Sequence, residues 1–263
     1  MSRHNEYKLQ NLLASWPFGT IATTKWLETL GISRKLASKY KSNGWLKSFG
    51  QGAFCRPQDK IDWYGALYAL QFQLDLNAHI GAKTALELHG FAHDIPMGRP
   101  NIDILKSPHT LVPRWFFEHP WEERMRITQC NLLPPQIGME EKSMGNFSIK
   151  LSSRERAVLE LVYLAPRLYS FDEIPIIMTS LGSLRGNLLR ELLTKCTSEK
   201  VKRLILYFGD KHNHAWRKKI DEKKLQIGST PLKIVPNEGK YNSKYNILLP
   251  KAYVIEDEQE IKF

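Results

Sequence analysis

Gly31-Ile32-Ser33-Arg34-Lys35-Leu36-Ala37-Ser38-Lys39-Tyr40-Lys41-Ser42-Asn43-Gly44-Trp45-Leu46-Lys47 is the stretch that decides the fold. A glycine at each end frames one short helix, Arg34 to Asn43, because glycine tolerates the left-handed backbone at which helices stop. Ser33 is a good N-cap residue for it. At about 100° per residue, Leu36, Ala37 and Tyr40 share one side, and Arg34, Lys35, Ser38, Lys41 and Ser42 share the other. Residues 33–47 hold five bases and no acid. A helix that enters a major groove needs this chemistry: cations for phosphates, and Arg or hydroxyls for base edges.

The flanks agree. Asn5 to Ala14 reads as an amphipathic helix carrying Tyr7, Leu9, Leu12 and Leu13, broken at Trp16-Pro17-Phe18-Gly19. Thr23 or Thr24 caps a second helix, Lys25 to Leu30, which Gly31 ends. Two short helices about a glycine turn are the helix-turn-helix pattern. Trp45 to Pro57 reads as a β-hairpin about Gly50-Gln51-Gly52, which places a wing behind the basic helix. Lys47, Gln51 and Arg56 are expected to hold DNA backbone or minor groove. Thr24 and Ser33, at helix starts, complete the expected DNA-binding set. The competing reading is a solvated basic face on a purely structural unit.

The whole chain has 263 residues, enough for two domains. The expected fold class is α+β: an N-terminal winged helix-turn-helix followed by a mixed α/β C-terminal domain. The expected divisions are 1–60 for the winged helix, 61–95 for a helical connector and 96–263 for the α/β domain. Helices are expected over Ile61–Leu76, Ala82–His89, Leu184–Cys196 and Glu199–Gly209, with strands at 101–105, 124–128, 147–151, 231–235 and 245–249. Ser152-Ser153-Arg154-Glu155 reads as a capping box, Ser152 capping and Glu155 third, before a helix to Leu164.

Charge narrows the partner. The net charge is +11, and residues 1–60 carry ten Lys/Arg against three Asp/Glu. Lys195 to Lys224 hold ten bases and four acids. Such a surplus points to a polyanion. Arg154, Lys202, Arg203, Arg217, Lys218 and Lys219 form a candidate second basic surface for nucleic acid, with Trp216 and Tyr207 as candidate stacking rings. The competing reading is again a solvated face. No run reaches the roughly 18 apolar residues of a membrane span, and Met1 to Gln10 lacks a secretory core. Cys55, Cys130 and Cys196 are odd in number and far apart, so the expected compartment is the reducing cytoplasm.

Catalytic signals are weak. His89 and His93 have metal-ligand spacing, but Gly90 interrupts them and no third ligand is evident, so no metal and no cofactor are expected. Lys211-His212-Asn213-His214 has a superficial nuclease look without the surrounding ligands. Asp103 and Glu118 are the remaining candidate carboxylate pair. No phosphate-cradling glycine loop is present.

Taken together these segments resemble the AbiEi-type antitoxins. The resemblance rests on Gly31-Ile32-Ser33 leading to Gly44-Trp45-Leu46 and the wing, on Gly81-Ala82-Lys83-Thr84-Ala85-Leu86-Glu87-Leu88-His89-Gly90, on Ser153 to Glu160, on Val201-Lys202-Arg203-Leu204 and on Lys240 to Ile247 before Pro250. It implies a non-enzymatic antitoxin and autorepressor of a type IV toxin–antitoxin system linked to phage defence. The implied partners are double-stranded DNA, an inverted-repeat operator upstream of its own operon, and a nucleotidyltransferase-like toxin that is countered without a stable complex. Two rivals stay open on the residues alone: a ligand-responsive transcriptional regulator, and a nucleic-acid-processing enzyme targeted by a winged helix.

Overall fold

The fold is taken from a computed structural model, which describes residues 3–91, 98–234 and 239–253. Along the chain run α1 (Arg3–Ser15), β1 (Ala22–Thr23), α2 (Thr24–Thr29), α3 (Arg34–Ser42), β2 (Lys47–Gly50), β3 (Ala53–Cys55) and α4 (Trp63–Tyr68). A π-helical turn, Ala69–Gln73, then leads to β4 (Ala78–Ile80) and α5 (Ala82–Leu88). Next come β5 (Asn101–Lys106), α6 (Arg114–Glu118), β6 (Arg124–Gln129), β7 (Met139–Ser143) and β8 (Ser148–Ser152). The chain continues with α7 (Arg154–Leu164), α8 (Glu173–Ser180), α9 (Gly186–Lys195) and α10 (Glu199–Lys211). Two 3-10 turns, Ala215–Lys219 and Glu222–Lys224, precede β9 (Leu232–Lys233), β10 (Lys240–Asn242) and β11 (Ile247–Leu249). The architecture is α+β. Val235, His93 and the acidic run Glu256–Glu260 lie outside the described residues.

Two compact units result: the first runs across the linear boundary near 60, and both draw residues from either side of 96. One takes in the described residues of Met1–Ile80, Pro96–Cys130 and Glu140–Leu151, the other those of Gly81–Ile95, Asn131–Met139 and Ser152–Phe263.

In the first unit, α1 to β3 follow the element order expected of a winged helix. Leu9, Leu12, Trp16, Ala22, Leu27, Ile32, Ala37, Tyr40 and Leu46 form its core. Burying each of the larger side chains is worth about 1.5–3 kcal/mol. The three strands lie in the order β1-β3-β2, with β2 and β3 antiparallel. A five-stranded sheet, β6-β5-β4-β8-β7, occupies the rest of the unit. It is mixed: β4 is antiparallel to β5 and parallel to β8.

The helix expected over 61–76 changes pitch at Ala69, where the Leu74 amide bonds the Ala69 carbonyl at 3.0 Å. That turn points two glutamines inward. Gln73 accepts from the Thr23 amide at 2.8 Å and donates to the Ile21 carbonyl at 2.6 Å. Gln71 donates to Ala78 and Lys150 carbonyls and accepts from the Lys150 amide. Each side-chain amide stands in for a neighbouring peptide where β1 and the β4–β8 pair lack one. The wing strand β2 is seated on α6. A Cβ on Gly50 would lie 2.5 Å from the Trp115 Cβ, and the Phe49 ring stacks on His119 at 4.4 Å. Burial there pushes the His119 imidazole down.

The second unit is built on α7, whose residues are almost all buried. Ser153, not Ser152, caps it, accepting from the Arg156 amide at 3.3 Å. Ser152 instead donates to Glu160 at 2.7 Å. Glu155 is not the return half of a capping box, because its carboxylate takes up the Arg185 amide and guanidinium, both at 2.7 Å. Burial alone would raise the Glu155 carboxyl, but those Arg185 bonds outweigh it and hold it low. The last sheet, β10-β11-β9, is smaller than the expected strands at 231–235 and 245–249.

Candidate nucleic-acid interface

Helix α3 presents the basic side that its sequence implies. Arg34, Lys35, Ser38, Lys41 and Ser42 are exposed, while Ala37 and Tyr40 are buried. Lys39 is exposed as well, on the far edge of the same face. The hydroxyls of Ser38 and Ser42 thus run along the middle, with Arg34 and Lys41 on one edge and Lys35 and Lys39 on the other. Lys35, Lys39, Lys41 and Lys47 have no ion-pair partner among the described residues. Arg34 pairs with Glu28 at 3.3 Å, but both side chains are in water, so the pair is readily exchanged for a phosphate.

The helix dipole gives this arrangement further meaning. The N-terminus of a helix repels cations by a few tenths of a kcal/mol or more. Arg34 and Lys35 occupy the first turn of α3, which holds no acid. Two cations placed against the dipole do nothing for the helix itself, and they leave that end attractive to an anion.

Local bonds explain how the flanking residues are held. Ser33 caps α3 by accepting from the Leu36 amide at 3.3 Å. Thr23 caps α2, so Thr24 is free to tie the wing turn: its amide and hydroxyl both donate to the Gly52 carbonyl, at 2.9 and 3.1 Å. Gly31 and Gly44 hold φ of +71° and +77°, the left-handed backbone that stops α2 and α3. Thr24, Arg34, Ser38 and Gln51 come together around a concavity of about 350 Å³, closed by Ala37, Gly52 and Phe54. Burial raises the Tyr40 phenol and the Cys55 thiol in the layer beneath.

Arg56 departs from expectation. It is buried, and its guanidinium lies between the Trp16 and Phe18 rings at 4.4 and 4.3 Å. It donates to the carbonyls of Leu13, Trp16 and Pro17 and to Asp59. Every face of the group is engaged inside the fold, so it is a clamp between α1 and the end of the wing and not a DNA contact. Arg56→Ala is expected to lower stability by about 3 kcal/mol or more, because the Leu13 and Trp16 carbonyls lose their donor and the nearly buried Asp59 carboxylate loses its cation. A urea titration followed by tryptophan fluorescence measures this, and an unchanged midpoint would show the clamp to be dispensable.

The expected second basic surface is mostly internal. Arg203 is fully buried and donates to the carbonyls of Thr230 and Asn246 at 2.8 and 2.9 Å and to Glu199 at 2.8 Å. Lys202 is buried beside Gln226. Arg217 pairs with Asp210 at 2.9 Å and with Glu222. Arg154 is half-buried, 5.6 Å over the Phe91 ring. Lys200 donates to the carbonyls of Tyr163 and Ala165, and burial pushes its ammonium down to about 8. Trp216 belongs to the core, and the Tyr207 hydroxyl is spent on the Tyr253 carbonyl. Lys218 and Lys219 are exposed, joined on that side of the unit by Lys223 and Lys224. Arg190, Lys195 and Lys224 border a cavity of about 600 Å³ beside α9.

The residues weighed for catalysis are not assembled. Asp103 is buried against Arg126, with bonds of 2.7 and 2.8 Å, while Glu118 is exposed and pairs with Arg114 at 3.8 Å. His89 bonds the Ser152 carbonyl and His214 the Met178 carbonyl. Among the described residues no three His, Cys, Asp or Glu side chains are grouped to hold a metal. No described helix is long and apolar enough to cross a membrane.

Comparison with known proteins places the chain in a family. Residues 5–97 match the family model described as transcriptional regulator, AbiEi antitoxin N-terminal domain. Residues 99–250 match the model described as transcriptional regulator, AbiEi antitoxin, type IV TA system. The chain therefore belongs to the AbiEi antitoxin family, the transcriptional regulators of type IV toxin–antitoxin systems. The crystal structure of the RV2827C protein from Mycobacterium tuberculosis is similar in fold, with a TM-score of 0.55 at 14% identity over 91% of this chain and 89% of that one. No curated protein matches the chain.

Sequence reasoning passed over two exposed residues of this surface, Lys39 and Trp45. Lys39 was legible as a fourth base on the helix, at the margin of the polar side. Trp45 reads as an ordinary apolar residue in the sequence, and only its exposure marks it.

Proposed function

We propose that this antitoxin binds an inverted-repeat operator upstream of its own operon, through α3 and the β2–β3 wing, and represses that operon. The observation that carries the reading is the outer face of α3, made only of cations and hydroxyls, with two cations set against the helix dipole. Arg34 and Ser38 reach base edges, Lys35, Lys39 and Lys41 hold phosphates on either side, and Lys47, Thr24 and Gln51 steady the wing. An inverted repeat takes two copies of the chain on the DNA. The second unit counters a nucleotidyltransferase-like toxin without a stable complex and without catalysis of its own. Its exposed Lys218 and Lys219 add a polyanion-attracting surface. The site of action is the cytoplasm, in keeping with three cysteines that are odd in number and far apart in the sequence.

The test is fluorescence anisotropy of the full chain with a labelled duplex from its upstream region, beside a scrambled duplex of equal length. Selective binding at near-physiological salt, tighter by about a thousandfold than to the scrambled duplex, is the expected result. Equal binding to both that vanishes with salt would remove the repressor reading and leave a non-specific electrostatic surface.

A further inference from the structure

Trp45 follows α3 directly and precedes β2. The residue is 46% exposed, unlike Trp16, Trp63, Trp115, Trp121 and Trp216, which are all buried. Its backbone is not loose: the Trp45 amide donates to the Tyr40 carbonyl at 2.9 Å, and the next residue, Leu46, is anchored in the core. The backbone that carries the exposed indole is thus anchored on both sides. Among the described residues its N–H meets no acceptor. Around it the chain is cationic and polar, with Lys41 and Ser42 exposed before it and Lys47 and Ser48 exposed after it. An exposed indole on an anchored backbone has only two side-chain torsions to fix, so it loses little conformational entropy on binding, and it offers an apolar face together with one N–H donor.

We infer that Trp45 is a DNA anchor at the seam between recognition helix and wing: its indole N–H donates to a phosphate oxygen and its ring lies on the adjoining deoxyribose. The inference rests on the operator-binding reading above. Backbone recognition is favoured over base recognition because the ring is flanked by Lys41 and Lys47, which bring a phosphate strand to that spot. A phosphate contact of this kind carries affinity and positioning but no sequence information. It also differs from a lysine contact in being uncharged, so it leaves the number of displaced counterions unaltered.

The experiment uses the full chain, the upstream duplex and the scrambled duplex. Trp45→Ala is expected to weaken binding to both by about tenfold, the scale of one hydrogen bond to a charged group plus ring contact. The slope of log affinity against log salt should stay as in the unsubstituted protein. Trp45→Phe keeps the ring without the donor and should fall between the two. Binding by Trp45→Ala within twofold of the unsubstituted protein overturns the inference, as does a loss confined to the upstream duplex, which would mean base contact. If Trp45→Ala fails to fold, acrylamide quenching decides: the fluorescence that Trp45→Phe removes must be shielded when the upstream duplex is bound, and unshielded fluorescence overturns the inference. The Arg34, Lys35 and Lys41 triple alanine variant separates the two levels. If it releases DNA while Trp45→Ala does not, the anchor alone is wrong; if neither affects binding, the operator-binding reading through α3 is wrong.

Discussion

Replacing Arg34, Lys35 and Lys41 together with alanine is expected to lower operator affinity by about a hundredfold or more and to reduce the salt slope by about two to three. Each lost phosphate contact retains one condensed counterion that the complex would otherwise release, which is why the slope reports the number of contacts. The same variant should melt at least as high as the unsubstituted protein. All three side chains are exposed, and alanine is a better helix former than any of them. Arg34 and Lys35 also oppose the dipole of α3, so their removal relieves a small repulsion. Binding lost with the fold intact is a signature that a structural role cannot produce. Anisotropy and thermal denaturation on one preparation measure both quantities. Unchanged affinity would mean that α3 does not enter DNA.

The largest expected stability effect lies in the other unit, at Glu160. This carboxylate is fully buried and accepts from the Ser152 hydroxyl at 2.7 Å, the Ala82 amide at 3.2 Å and Arg156 Nε at 2.7 Å. Arg156, itself buried, donates further to the carbonyls of Pro134 and Ile137 at 2.7 Å. Ala82 sits at φ +48°, an unfavourable backbone for a residue with a Cβ, and its amide is held there by Glu160. Glu160→Ala therefore strands a guanidinium, a hydroxyl and an amide at once. The expected loss is about 3–5 kcal/mol, the range for breaking a buried ion pair from one side. Glu160→Gln keeps an acceptor for Ser152 and Ala82 but leaves the Arg156 charge uncompensated, so it should fall between the two. Urea denaturation at neutral pH gives the numbers. A loss under about 1 kcal/mol for Glu160→Ala would show that water or a shifted neighbour replaces the carboxylate.

The two predictions differ in how far the sequence alone could support them. The α3 face was legible because it depends on local quantities: a helical period, a cap at Ser33 and glycines at the ends. The wing hairpin and most helices were legible on the same terms. Glu160 was not, since a glutamate in a helix reads as a solvent-facing residue until its surroundings are known. The capping assignment slipped by one residue for a related reason. Ser152 and Ser153 are equivalent as sequence, and it is Glu160, two turns into the helix, that draws Ser152 away from the helix end.

Basic residues show the division most sharply. Lys35, Lys41 and Arg56 look alike as symbols in a positive segment, yet two face water and the third is wedged between Trp16 and Phe18. Arg203 and Lys218 belong to one basic run, yet Arg203 ties the backbone at Gly228 and Thr230 to that at Asn246 while Lys218 is exposed. The family, the basic helix and the hairpin behind it were readable from residue order alone, because helical periodicity, turn residues and charge act over a few neighbours. Which cations remain for a partner, which carboxylates hold the core, and that β4 rather than a linear boundary organises the sheet were decided only in the tertiary structure. Burial and hydrogen-bond satisfaction depend on segments far apart in the chain, and no local pattern encodes what will close over a given side chain.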